Sequence, residues 1–139
     1  MTHAELVDRA ARWLKNTIHC RVILTELTTA AGIIPDVIGW VNGWSILIEC
    51  KVSRSDFLRD LKKRNNFRRY NNLGNWRFYF APPDIIASIE LPEKWGLYEM
   101  RYTKIEYAGG IAYNNCAAPL GSDINKERLM LLSALARKG

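Results

Sequence analysis

The pair Asn42-Gly43 constrains this chain more than any other two residues. It stands between two apolar, β-branched runs, residues 33–40 and 44–52. Asn-Gly is the strongest short-range signal for a two-residue hairpin turn, because both turn positions need positive φ. With Asn42 and Gly43 as the turn, Val41 pairs with Trp44, and counting back sets Asp36 opposite Glu49. A symmetric four-residue loop keeps the same pairing. Opposed residues share a face of the sheet, and side chains alternate along a strand. Lys51 therefore joins the face of Asp36 and Glu49, while Cys50 turns to the other side, toward the core.

Two carboxylates with Cβ atoms about 5 Å apart repel unless something cationic lies between them. A divalent metal is the natural solution, and oxygen ligands with no histidine or thiolate nearby suit Mg²⁺ or Mn²⁺. Such an ion can hold a scissile phosphate while activating a water. The ammonium of Lys51 can orient that water or stabilise charge on the transition state, and the sequence leaves both roles open. The plainer alternative is a surface cross-strand salt bridge. Against it, the strand over 45–52 is otherwise strongly apolar, and charges at the end of a buried strand are costly unless used.

A basic segment follows at once. Residues 54–69 carry Arg54, Arg59, Lys62, Lys63, Arg64, Arg68 and Arg69 against Asp56 and Asp60, a net +5 of the chain's +6. The sequence pI is about 9.4, which favours a polyanionic partner. Phosphate neutralisation by such a patch gives salt-dependent affinity. Phe67, Tyr70 and Trp76 could stack on bases, although Phe67 and Trp76 fit the core better. A solvated helix face is the alternative for the charge run. An anionic membrane surface is a poorer fit, because the segment lacks a wide apolar face.

The 139 residues suit one compact domain, 1–139, that buries roughly 65–70% of its unfolded surface. Thr2 with Glu5 is a capping-box pattern, and Leu6, Val7, Ala10, Trp13 and Leu14 follow at helical spacing, predicting a helix over 3–16. A strand is expected over 20–27 and a loop over 28–32. A helix over 53–65, capped by Ser53 or Ser55, should bury Phe57, Leu58 and Leu61. Trp76 to Ala81 reads as a strand stopped by Pro82-Pro83, and 95–107 as one or two more. A last helix, capped by Ser122 or Asp123, should reach about Arg137 with Ile124, Leu131, Leu132 and Leu135 buried. This order, α-β-β-β-α-β with additions, implies an α/β fold of the α+β type, a mixed sheet with helices packed on it. Cys20, Cys50 and Cys116 are odd in number and form no CxxC pair, so a zinc-thiolate site is not expected and a reducing compartment fits. With no signal-peptide core and no run long enough to span a bilayer, a cytoplasmic protein with no membrane partner is expected.

Pro35-Asp36, then Glu49 thirteen residues on, then Cys50-Lys51, resembles the signature of the PD-(D/E)xK nuclease superfamily. The continuation Val52-Ser53-Arg54-Ser55-Asp56-Phe57-Leu58, together with Arg77-Phe78-Tyr79-Phe80-Ala81 and Leu91-Pro92-Glu93-Lys94-Trp95-Gly96-Leu97, looks closest to the MmcB-like DNA-repair endonuclease branch. The resemblance runs from about residue 20 to the end. It implies a restriction-endonuclease-like αβββαβ core and Mg²⁺- or Mn²⁺-dependent hydrolysis of DNA phosphodiesters, in repair or recombination. It further implies Asp36, Glu49 and the Cys50 backbone carbonyl as metal ligands and Lys51 as the catalytic lysine. An upstream acid completes many such sites; Glu26 is the first candidate and Glu5 the second. Ser53 and Asp56 become supports for Lys51 or for water on the metal. Arg54, Lys62, Lys63, Arg64, Arg68, Arg69 and Tyr70 become contacts to DNA, branched or single-stranded forms included. A homodimer is how so small a domain would cut both strands. The rival reading is a nucleic-acid-binding module of the same fold without turnover.

Overall fold

A computed structural model describes residues 1–26, 35–67, 73–113 and 119–138, the side chains of 63–67 and 138 excepted. Helix α1, His3–Trp13, opens where expected: the Thr2 hydroxyl accepts the Glu5 N–H at 3.1 Å. Its buried stripe is Leu6, Val7, Ala10 and Trp13. Past Trp13 the winding widens into a π-helical stretch, Leu14–Ile18, closed by His19 in the left-handed region at φ 72°. The expected helix therefore runs two residues longer, in two geometries.

Strands β1 (Val22–Thr25), β2 (Val37–Val41) and β3 (Trp44–Cys50) come next, then helix α2 (Arg54–Phe67) and strand β4 (Trp76–Ala81). A 3₁₀ turn at Ser88–Glu90 precedes β5 (Trp95–Arg101), β6 (Lys104–Gly110) and helix α3 (Ile124–Lys138). The loop expected over 28–32 lies outside the described residues. The strands form one six-stranded sheet in sequence order. The pairs β1–β2, β2–β3 and β5–β6 are antiparallel, and β3–β4 and β4–β5 are parallel. Consequently β1, β3, β4 and β5 all run one way, and their carboxyl ends share one edge of the sheet.

The β2–β3 turn is a type I′ turn, with Asn42 at φ 51° and Gly43 at φ 82°. Its register is the one the turn demands, Val41 with Trp44 through Val37 with Ile48. Two apolar clusters cover the sheet. On one face α1 packs on Val37, Ile46, Ile48, Cys50, Phe78 and Phe80, with Trp13 at 5.0 Å from Phe80 and 4.9 Å from Tyr98. On the other, Leu47, Tyr79, Ala81 and Leu97 meet Phe57 of α2, with Met130 of α3 packed against them. Burying side chains of this size contributes about 1.5–3 kcal/mol each.

Two apolar expectations are corrected. Leu58 is 44% exposed, because the inward face of α2 is Phe57, Asp60 and Leu61. On α3, Ile124, Leu132 and Leu135 are 72%, 54% and 65% exposed, and the buried position is Glu127. Its carboxylate accepts the Ser45 hydroxyl at 2.9 Å, the Gly74 N–H at 2.9 Å and the Trp40 indole N–H at 3.2 Å. Those polar bonds set the rotation of the helix and turn its leucines outward. Asp123 caps α3, accepting the Lys126 N–H at 3.0 Å. Among the described residues, no helix is long and apolar enough to cross a membrane.

Candidate functional site

The carboxyl edge of the sheet collects the charges. Glu26 directly follows β1, Asp36 directly precedes β2, and Glu49, Cys50 and Lys51 end β3. The β2–β3 register ends at Val37–Ile48, one step short of Asp36 and Glu49, and Asp36 itself lies just outside the strand. Cys50 is buried in the α1 cluster, as expected, and burial followed by the charges of Asp36, Glu49 and Glu26 pushes its thiol well above the ordinary range. Cys20 is likewise buried, and Cys116 lies outside the described residues.

Asp36 does two jobs. One carboxylate oxygen accepts the Cys50 N–H at 2.7 Å and so continues the β2–β3 ladder with a side chain. The other is 3.6 Å from the Nε2 of His3, and that nitrogen is 2.5 Å from Glu26. Backbones close the same corner, the Glu26 N–H donating to the Asp36 carbonyl at 3.1 Å. Burial raises the Asp36 pKa to about 6; the Cys50 N–H opposes it, Glu26 adds to it, and His3 and Lys51 oppose it. Ligand atoms of His3, Glu26 and Asp36 all lie within 4.8 Å of one another. Around an octahedral ion with bonds of about 2.1 Å, neighbouring donors stand about 3 Å apart and opposite ones about 4.2 Å. To hold one divalent ion the His3–Glu26 pair, at 2.5 Å, would have to open by about half an ångström, while the His3–Asp36 separation of 3.6 Å already lies in range. Glu49, only 3% exposed, is outside this tight group.

Lys51 is held from the helix side. Its ammonium is 3.3 Å from Asp60, whose second oxygen accepts the Tyr79 hydroxyl at 2.6 Å. Tyr79 is fixed in turn by stacking on Trp95 at 4.8 Å and by the edge contact of Phe57 at 5.1 Å. Burial works against the charge on Lys51, but Asp60, Glu49 and Asp36 outweigh it and raise its pKa. Lys51 therefore stays an ammonium at neutral pH.

The other predicted residues have these partners. The Ser53 hydroxyl caps α2, accepting the Asp56 N–H at 3.2 Å, and Asp56 pairs with Arg59 at 3.5 Å. The support given to Lys51 comes from Asp60, one helical turn further on. Arg54 is engaged by Glu90 at 2.7 and 2.9 Å. Lys62 is exposed, while the side chains of Lys63 and Arg64, and all of Arg68, Arg69 and Tyr70, lie outside the described residues. Glu5 faces solvent, in a hollow with Met1, Asp8 and Arg9. The expectation of a site without histidine is corrected by His3. A signal for Asp60 existed, because it falls between Phe57 and Leu61 on the inward stripe, where an acid needs a partner. No local pattern marks His3.

Neither a family model nor a curated protein matches this chain. A solved structure does: the SPO1766 protein of unknown function from Silicibacter pomeroyi, at 22% identity. The match covers 99% of this chain and 87% of that one, with a TM-score of 0.67. At that identity the likeness is one of fold.

Proposed function

We propose that this chain is a metal-dependent nuclease of the PD-(D/E)xK type, with a restriction-endonuclease-like core, hydrolysing phosphodiester bonds in DNA as an endonuclease of repair or recombination. What supports the reading is that Asp36, Glu49 and Lys51 stand together at the carboxyl edge of the sheet, close enough for both acids to raise the Lys51 pKa. That edge is where open sheets with parallel strands bind ligands. Asp36, Glu49, the Cys50 carbonyl and Glu26 are the residues that would hold Mg²⁺ or Mn²⁺. Glu26 takes the upstream role over Glu5 because its carboxylate stands in the Asp36 group. A divalent ion bound there supplies Lewis acidity toward a phosphoryl oxygen and lowers the pKa of water.

Lys51, its charge favoured by the acids around it, acts as a hydrogen-bond donor toward negative charge developing on the phosphate. Asp60 and Tyr79 fix where that donor points. The basic face of α2, starting three residues after Lys51, supplies phosphate contacts through Lys62 and its neighbours in sequence.

The test is to incubate untagged protein and Mg²⁺ or Mn²⁺ with linear, nicked, flapped and branched DNA. Cleavage of at least one form is expected, lost in Lys51→Ala. Cleavage that survives Lys51→Ala unchanged overturns the reading. Salt-sensitive binding with no product under any metal replaces it with the non-catalytic binding module.

A further inference from the structure

We propose that the imidazole of His3 is itself a metal ligand, and that it tilts the site toward Mn²⁺ and related first-row ions over Mg²⁺. The inference rests on the reading of the Asp36 corner as a metal site and adds a nitrogen to its donor set.

Three separate elements deliver the three donors. His3 is the first residue of α1, Glu26 follows β1, and Asp36 precedes β2. Thr2 fixes the helix start, so the imidazole is presented from a defined first turn. Its Nε2 faces both carboxylates at once, at 2.5 Å from Glu26 and 3.6 Å from Asp36. A histidine that only anchored α1 to β1 would need Glu26 alone. The convergence of a second acid, one that is 9% exposed, is what one ion bound by three groups requires.

The donor chemistry then selects the ion. Mg²⁺ demands oxygen ligands in near-ideal octahedra and keeps its waters. Imidazole nitrogen suits softer first-row ions, whose affinity for mixed nitrogen and oxygen sites rises from Mn²⁺ onward. An all-oxygen site of Asp36, Glu49 and Glu26 has little reason to distinguish Mn²⁺ from Mg²⁺. One that includes His3 does.

The test uses untagged protein without nucleic acid. The chain has two histidines, His3 and His19, so an imidazole signal is assignable by substitution. Mn²⁺ binding is followed by electron paramagnetic resonance, Mg²⁺ affinity by competition, and nitrogen coupling to bound Mn²⁺ by the pulsed form of the measurement. Wild type should show imidazole coupling, retained in His19→Gln and lost in His3→Gln. Mn²⁺ affinity should fall roughly tenfold or more in His3→Gln, and Mg²⁺ affinity by much less. Bound Mn²⁺ without imidazole coupling in wild type overturns the proposal, whatever happens to the variant's folding. Equal weakening of both ions by His3→Gln also overturns it. Imidazole coupling in a protein that cuts no DNA would sustain the ligand and sink the nuclease. Cutting without coupling would do the reverse.

Discussion

Both ends of the sheet bury carboxylates, and they handle them in opposite ways. At the amino end of β3 and β4, Glu127 lies amid donors: the Ser45 hydroxyl, the Gly74 N–H and the Trp40 indole. Asn75 extends this net, accepting from the Ser45 N–H at 2.8 Å and donating to the Leu120 carbonyl at 2.8 Å. At the carboxyl end Glu26, Asp36 and Glu49 are gathered with Lys51, Asp60 and His3, and Asp36 is pushed to a pKa of about 6. Buried acids ringed by neutral donors hold a fold together. Buried acids facing one another carry a load that a bound cation relieves.

The largest effect expected is on chemistry at the carboxyl end. Glu49→Gln keeps the shape and removes the charge, so DNA cleavage should fall about a thousandfold, equivalent to ~4 kcal/mol. Its unfolding midpoint in urea should hold or rise. A midpoint loss as large as that of a Glu127 variant would erase the contrast between the two ends.

Next comes Glu127→Ala, which strands the three donors. Urea unfolding should show a loss of about 3 kcal/mol, with the folded fraction still cutting DNA at the normal rate. A loss below about 1 kcal/mol would mean that the net around Glu127 is not what seats α3.

The third concerns pH. Asp36 has a folded pKa of about 6 against an ordinary 3.8, so between these values the folded state holds the proton more tightly than the unfolded chain. Stability of the metal-free protein should therefore fall as pH rises through that window, by about 1–3 kcal/mol, and level off above it. Asp36→Asn should flatten the slope. Added Mn²⁺ should restore stability above pH ~6 in wild type and not in Asp36→Asn, because binding needs the ionised carboxylate.

The smallest is Asp60→Asn. Removing the first of the charges that raise the Lys51 pKa should slow cleavage about tenfold and move the basic limb of the kcat/KM profile to lower pH. An unmoved basic limb would exclude Asp60 as the group that positions Lys51.

What the sequence disclosed follows from distance along the chain. The β2–β3 register, the core position of Cys50 and the cap of α2 are all fixed by neighbours. Each could be read from Asn42-Gly43 or Ser53. Where α3 faces could not, because its leucines form a plausible buried stripe and only the partners of Glu127, more than fifty residues away, decide otherwise. Asp60 was half legible, an acid on an apolar stripe whose partner is not local. His3 was silent, since its contact with Glu26 spans 23 residues and two elements.

The type I′ turn at Asn42-Gly43 lies at the far end of β2 and β3 from Asp36 and Glu49. Its length nonetheless decides whether those two acids can meet. Lengthening the tip by one residue would slip β2 by one position against β3 unless a bulge absorbed the extra residue. The bend thus behaves as a remote clasp on the acidic corner.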